Sequence, residues 1–495
     1  MTFTSTRSVL SVDSLATILR GLAPDGGLFV PTAINGFKGV KGLKGVEGVE
    51  GAKGLEGAGT LAGAERFALG AFFDDIPEEV REAAIANLLA KFPASDPVPL
   101  VDLGDFKMLE LFHGPTGAFK DVALSILPVL MAEAARRAGR EKVLVLTATS
   151  GDTGSAAMAG FANVPGVEVA VFFPHTGTSR IQRLQMTTPS AANVHGIAIR
   201  GNFDDAQAAV KRVFSSAEFR AEAEAAGITL SSANSINTGR LVPQIAYYLH
   251  AAAKIKEQIG EADLRVGKFD VVVPSGNFGN ILAAYYAKLL GAPIDRLVCA
   301  SNVNDVLTRF IATGTYDPGD RFTVTNSPSM DIRKSSNVER LLWLVNGGLD
   351  DPAKAAEKTK QLMEDFASTG RYTLDDDARA RLQADFVCGM ADPDETEAEM
   401  RHLRADTRGY IVDPHTAVAT CVARKLGLPD GKPCVVAATA TPYKFPETCL
   451  RAFGEDVLGN PPPAFVALES APVTQNQVVD VEAIPAAVRA LFAAQ

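Results

Sequence analysis

Beyond residue 100 the chain alternates short β-branched runs with helical ones, and this alternation limits the fold more than any other feature. KVLVLTA at 142–148 reads as a buried strand, followed by TSGDTGSAAMAGFA, a loop opening into a helix. VEVAVFFP is a second strand. NVHGIAIRG precedes the helical DDAQAAVKRVF, KFDVVVP precedes SGNFGNILAAYYAKLL, and RLVCAS and KPCVVAATA complete the series. Strands of this kind alternating with amphipathic helices predict an α/β fold with mostly parallel sheets and flanking helices. In such sheets ligands bind beyond the carboxyl ends of the strands. The loops after Ala148, Pro274 and Ala438 are therefore where chemistry is expected, and each is polar or glycine-rich.

At 495 residues the chain exceeds what one core supports, so two or three domains are expected. The first hundred residues hold a helix candidate from Ser14 to Arg20, the turn-rich APDGGLFVP and a helical pattern from Pro77 to Phe92. The proline-containing SDPVP closes the region. From Gly36 to Gly57 a glycine recurs at every third residue. The period is that of collagen but the prolines are missing, so a flexible, solvent-exposed insertion over 35–59 is expected, with a coiled or β-solenoid element as the alternative. A formal net charge of −10 argues against a nucleic-acid partner. Cys299, Cys388, Cys421, Cys434 and Cys449 are odd in number and lack CxxC spacing, which indicates reduced thiols in a cytoplasmic setting. No apolar stretch approaches the ~20 residues of a membrane helix, and MTFTSTRSVLSVDS lacks the apolar region of a secretory signal. A monomer and a homodimer both remain open.

Four loops carry candidate chemistry. In LFHGPTGAFKDVAL, 111–124, Lys120 stands behind a glycine-rich turn and before an apolar helical run. Desolvation there would lower its pKa and free the amine as a nucleophile or base. PSGNFGN, 274–280, joins a strand to a helix; its small residues, the Ser275 hydroxyl and the helix N-terminus suit a phosphate. TATSGDTGSAA, 147–157, repeats that arrangement and suits a carboxylate, although helix N-capping by Asp152 or Thr153 would use the same residues. ANSINTGRL, 233–241, offers Arg240 beside amide and hydroxyl donors, a natural binder of a second phosphate, although an exposed loop arginine is the alternative. His175, His195 and His415 have no metal-ligand spacing, so no metal is expected. An imine-forming lysine, a phosphate cradle, a carboxylate loop and no nucleotide motif together imply pyridoxal 5'-phosphate.

STRS near the start and GLAPDGGLFVP at 21–31 are followed by LFHGPTGAFKD, TSGDTGSAA, NSINTGR, PSGNFGN, DPHTAVA (413–419) and ATATPYKF (438–445). In these motifs, and over nearly its whole length, the chain resembles the bacterial and fungal branch of the threonine synthases. Those are fold-type-II pyridoxal-phosphate enzymes, similar in fold to the tryptophan synthase β chain. The resemblance implies an N-terminal domain over 1–100, a larger cofactor-binding domain from 101–145 and 235–495, and a smaller substrate-side domain over 146–234. It implies that Lys120 links the cofactor covalently and then shuttles protons, and that Ser275, Gly276, Asn277, Phe278, Gly279 and Asn280 hold its phosphate. Thr439 would face the pyridine nitrogen. Asp152 stands where the wider family carries an asparagine near the cofactor's O3′ oxygen. Ser150 and Thr153 would take the substrate carboxylate; Asn234, Ser235 and Arg240 its phosphate, with Lys444 a further candidate. The last motif commonly reads TAHPAKF, so Thr441 and Tyr443 are departures, which bear on the pocket rim. The implied reaction converts O-phospho-L-homoserine and water to L-threonine and phosphate. A phospholyase or dehydratase on the same fold is the rival, and a dehydratase would not need Arg240. A pseudoenzyme or interaction protein is the other alternative; Lys120 together with an intact PSGNFGN speaks against it.

Overall fold

The computed structural model describes residues 1–34, 57–263 and 267–493. The glycine repeat falls outside the described residues, except for its last glycine, Gly57. Two sheets organise the chain. The first has six strands in the spatial order Phe386–Met390, Ile294–Ser301, Phe269–Pro274, Cys434–Ala438, Lys107–Glu110 and Leu100–Asp102. Its pairings are parallel except the outermost, between Leu100–Asp102 and Lys107–Glu110. The second has five strands, Gln477–Asp480, Val194–Arg200, Val167–Pro174, Lys142–Ala148 and Ile228–Ser232, all parallel.

The central strands are mostly apolar because successive side chains enter different cores. Val143, Val145, Val169 and Val171 point into the large central cluster, whereas Leu144, Leu146, Ala170 and Phe172 point into an outer one. In the six-stranded sheet Val271, Val273 and Val435 join that same central cluster, and Val272 and Val436 a second outer one. A single core thus lies between the sheets and ties them together. The N-terminal hundred residues share it through Phe3, Leu61, Leu69, Phe72, Ile85 and Leu88. Helix Ser14–Arg20 starts where expected, with the Asp13 carboxylate accepting the Ala16 N–H.

Two features differ from the expected division of the chain. Strand Lys142–Ala148 lies wholly in the five-stranded sheet, so a boundary at 145/146 would cut it. Gln477–Asp480 pairs with Val194–Arg200, and Ile484 and Val488 of helix Ile484–Ala493 seal that sheet's outer core. The C-terminus therefore returns to the smaller sheet. QVVD is a short, partly exposed edge strand, with too few apolar positions to show a period of two.

One contact fixes the spacing of the functional elements. Helix Asp152–Phe161 crosses helix Lys120–Arg137 at Gly160, where a Cβ would lie 2.1 Å from the Leu124 carbonyl oxygen. The absence of a side chain lets the two helices approach, and each begins in the region described next.

Candidate active site

Lys120 is the first residue of helix Lys120–Arg137. The preceding turn is built for its position. Gly117 has φ +70°, and a Cβ there would meet the Thr441 methyl at 2.6 Å. The buried Asp121 carboxylate accepts the Thr116 amide (2.9 Å) and hydroxyl (2.7 Å), closing the loop. The Phe119 N–H donates to the Thr439 carbonyl and the Thr441 N–H to the Gly117 carbonyl. These bonds stitch the lysine turn to the end of strand Cys434–Ala438 and bring Thr439 to the amine's side. Nζ lies 4.6 Å from the Phe119 ring centroid and 3.2 Å from Asp152 Oδ2. Burial lowers the Lys120 pKa; Asp152 opposes this, while the cations Arg240 and Lys444 add to it.

The loop 274–280, expected to cradle a phosphate, leaves strand Phe269–Pro274 and enters helix Gly279–Leu289. The helix start presents backbone N–H groups that have no intrahelical acceptor. Phe278 turns the chain at φ +63°, which aims that end of the loop inward. Asn280 Oδ1 accepts the hydroxyls of Tyr247 (2.5 Å) and Tyr248 (2.8 Å). Its Nδ2 and Asn277 Oδ1 are buried without a partner. The loop has its own support: Asn337 Nδ2 donates to the Asn277 carbonyl (3.0 Å) and to Ser235 Oγ (2.8 Å), joining it to the 233–241 segment.

Asp152 opens helix Asp152–Phe161 but does not cap it. Gly151 occupies the N-cap, and Thr149 Oγ1 accepts the Gly151 and Gly154 amides instead. The Asp152 carboxylate is left to face the cavity. Oδ1 accepts from Gln182 Nε2 (2.8 Å) and is ion-paired with the Lys444 ammonium (2.9 Å), and Oδ2 accepts from Lys120 Nζ (3.2 Å) and Ser329 Oγ (3.0 Å). Burial alone would raise its pKa, but Lys120 and Lys444, with help from Gln182 and His415, hold it well below the ordinary carboxylate range.

On the remaining wall, Asn234 Nδ2 donates to the Ala148 carbonyl at 2.9 Å, locking this loop onto strand Lys142–Ala148. Arg240 is buried. Nη1 donates to the Ala233 carbonyl (2.8 Å), Nη2 reaches Thr153 Oγ1 (3.4 Å), and Nε has no partner. Burial brings its pKa down to about 10.

One cavity is lined by Lys120, Asp152, Thr153, Asn234, Ser235, Arg240, the whole run Ser275 to Asn280, and Thr439. Two expected members are not there. Ser150 is partly exposed and does not line it. Lys444 is fully buried outside the lining: its Nζ donates to the Thr116 carbonyl (2.9 Å) and Gln185 Oε1 (3.0 Å) and is ion-paired with Asp152 Oδ1 (2.9 Å). The cavity also takes in Phe119, Gln244, Ser329, Met330 and His415, which the sequence reading left out. For His415 a signal existed. In DPH the aspartate caps a helix and the proline stands at N1, so the histidine ring is held at a helix start. Its Nδ1 donates to Asp413 Oδ1 (2.7 Å) and its Nε2 accepts the Ser329 amide (3.1 Å), which fixes the tautomer. Ser329 and Met330 lie in the short 3-10 turn Pro328–Met330, and nothing in the local sequence marks them.

An amine of lowered basicity, a helix-start anion cradle and a hydroxyl from Thr439 fit pyridoxal phosphate, and the unpaired Asn277, Asn280 and Arg240 atoms supply unused polar capacity. A family model described as pyridoxal-phosphate dependent enzyme matches residues 97–440, and the chain belongs to that family. A second model, threonine synthase, C-terminal, matches residues 416–491. The threonine synthase structure from yeast superposes with a TM-score of 0.88 at 30% identity, covering 100% of this chain and 99% of that one. The PLP-bound threonine synthase of Brucella melitensis gives 0.83 at 34% identity, covering 99% of each. Within the fold-type-II enzymes the chain is therefore a member of the threonine synthase family. It is also 38% identical to human threonine synthase-like 1 over 479 residues, 91% of this chain but 60% of that protein's length.

Proposed function

We propose that the chain converts O-phospho-L-homoserine and water to L-threonine and phosphate. The observation that carries this reading is a second anion site in the lysine cavity: the buried Arg240 guanidinium, whose Nε is unpaired, beside Asn234 and Ser235. A buried cation without a carboxylate partner is expensive unless a ligand anion completes it.

Lys120, Ser275 to Asn280 and Thr439 would hold the cofactor, with Asp152 beside its phenolic oxygen. The bound cofactor supplies an electron sink for the pairs left at carbon when protons depart. Thr153 orients the substrate carboxylate, and Arg240, Asn234 and Ser235 hold its phosphate. The Lys120 amine takes the proton from Cα, yields it to an oxygen of the substrate phosphate, and then takes the proton from Cβ. The Cγ–O bond breaks, and the leaving phosphate stays on Arg240. Lys120 returns a proton to Cγ, water adds its hydroxyl at Cβ, and a proton restored at Cα completes threonine. Placing both anions fixes the carbon chain between them, so one amine can serve three adjacent carbons.

The test is incubation of the purified enzyme with O-phospho-L-homoserine, with phosphate and threonine both followed. Equal yields are expected; phosphate released with a 2-oxo acid and no threonine would make it a phospholyase. We also assign the protein to the cytoplasm. All five cysteines are unpaired, and no helix among the described residues is long and apolar enough to cross a membrane.

A further inference from the structure

We propose that Lys444 is a positioning residue, which holds one oxygen of Asp152 so that the other stays aimed at the Lys120 amine. The inference rests on the assignment of Lys120 as the reactive amine. Two lysines and one carboxylate form a buried row. Lys120 Nζ lies 3.2 Å from Oδ2, and Lys444 Nζ lies 2.9 Å from Oδ1. Lys444 itself cannot turn away. Its Nζ donates to the Thr116 carbonyl and Gln185 Oε1, and no part of its side chain reaches solvent.

The arrangement has a chemical purpose. A lone carboxylate beside the amine would hold it as a tightly paired ammonium, and beside the cofactor's phenolic oxygen it would repel negative charge. A carboxylate shared with a second, immobile cation is close to neutral as a unit, yet it still accepts hydrogen bonds. Asp152 with Lys444 thus does what an uncharged amide would do at that place. The pair also joins the two sheets. Asp152 and Gln182 belong to helices of the smaller sheet's side, Lys444 follows strand Cys434–Ala438, and Ser329 comes from the larger side. The other titratable groups facing the row are Arg240 toward Lys120, His415 toward Asp152 and Asp121 toward Lys444.

The test reads Lys120 directly, with no cofactor needed. Cofactor-free protein is treated with an amine-reactive acylating reagent across a range of pH, and labelling at Lys120 is quantified by peptide mass spectrometry. Lys444→Met should tighten the Asp152 grip and slow Lys120 labelling at fixed pH by about tenfold, the effect of one pKa unit. Asp152→Asn should leave Lys120 facing two cations and accelerate labelling by a similar factor. The double variant should return close to the wild-type rate, because it replaces a neutral pair by a neutral pair. Lys444→Gln, which keeps a donor, serves as the second probe if the methionine variant unfolds on a thermal melt. A labelling profile unchanged by either Lys444 substitution, in folded protein, would reduce Lys444 to a packing role and overturn the proposal. Slow, uniform labelling insensitive to Asp152→Asn would instead remove Lys120 as the reactive amine.

Discussion

Replacing Arg240 by methionine separates folding from binding, and the two should move in opposite directions. Burial draws the guanidinium down to about 10, more than two powers of ten below its ordinary ~12.5. At ~1.4 kcal/mol for each power of ten, keeping the charge there opposes folding by ~3 kcal/mol. The sign follows from a folded-state value below the unfolded one. The penalty is full at every pH below about 10 and shrinks only above it. The bonds to Ala233 and Thr153 offset it; a good charged hydrogen bond is worth ~1.5–3 kcal/mol, and the Thr153 contact at 3.4 Å is a weak one. Methionine fills most of the volume, removes the charge and gives up those bonds. Stability of the unliganded protein should therefore stay within ~1 kcal/mol of wild type or rise. Substrate loses a buried charge partner, typically 2–5 kcal/mol, so kcat/KM for O-phospho-L-homoserine should fall by ~30-fold to more than 1,000-fold. The assays are urea denaturation without substrate and steady-state phosphate release. Inorganic phosphate should raise the urea midpoint of wild type and not of the variant. A variant that loses more than ~2 kcal/mol of stability while keeping kcat/KM within about threefold would refute the reasoning, since Arg240 would then be a structural cation.

Lys120→Ala should abolish the visible absorption of the cofactor-loaded protein with an unchanged far-UV spectrum; retained absorption would place the covalent link elsewhere. Gly160→Ala puts a Cβ 2.1 Å from the Leu124 carbonyl and should cost ~1–3 kcal/mol. It should also cut turnover, since both displaced helices begin in the cavity; a melt equal to wild type would show that the crossing is loose. Glu65 is buried with both carboxylate oxygens unpartnered, and burial pushes its pKa well above the ordinary range. Folding therefore takes up a proton as pH rises past ~4.3, and this weakens the native state there. Glu65→Gln should match wild type in acid and become progressively more stable toward pH 8, read from denaturation midpoints. An offset that does not vary with pH would contradict this.

Much of the architecture could be read from the chain because the central strands are two-sided. Lys142–Ala148 and Val167–Pro174 match their expected bounds, since all but Lys142, Thr147 and Glu168 are apolar and each run ends at a turn. Elements whose order comes from tertiary contact left no such mark. Strand Phe386–Met390 has one fully buried residue, and QVVD has none. In the cavity, residues on strand-to-helix loops were legible because those loops need glycine, hydroxyl and amide side chains in a fixed order. Lys444 shows the limit. Its sequence neighbours place it at the correct end of a strand, but which acceptors take its protons depends on Gln185 and Asp152, far away along the chain. A lysine near an expected phosphate and a lysine buried on a carboxylate have the same local sequence.

The site needs both sheets, and this explains why its strongest interactions are those that cross between them. Lys120, the Ser275 to Asn280 loop and Thr439 come from the larger side, Asp152 and Thr153 from the smaller, and Arg240 from the segment between. Were the two sides free to slide, the amine and its carboxylate would lose register, and the two anion sites would change their separation. The Gly160 crossing, the Asn337 bridge and the Lys444–Asp152 pair each remove one such freedom. The first does so by close backbone contact, the second by paired hydrogen bonds to Asn277 and Ser235, and the third by charge. The proposed reaction, with protons handled at three successive carbons from one amine, would require that rigidity more than additional acid or base groups.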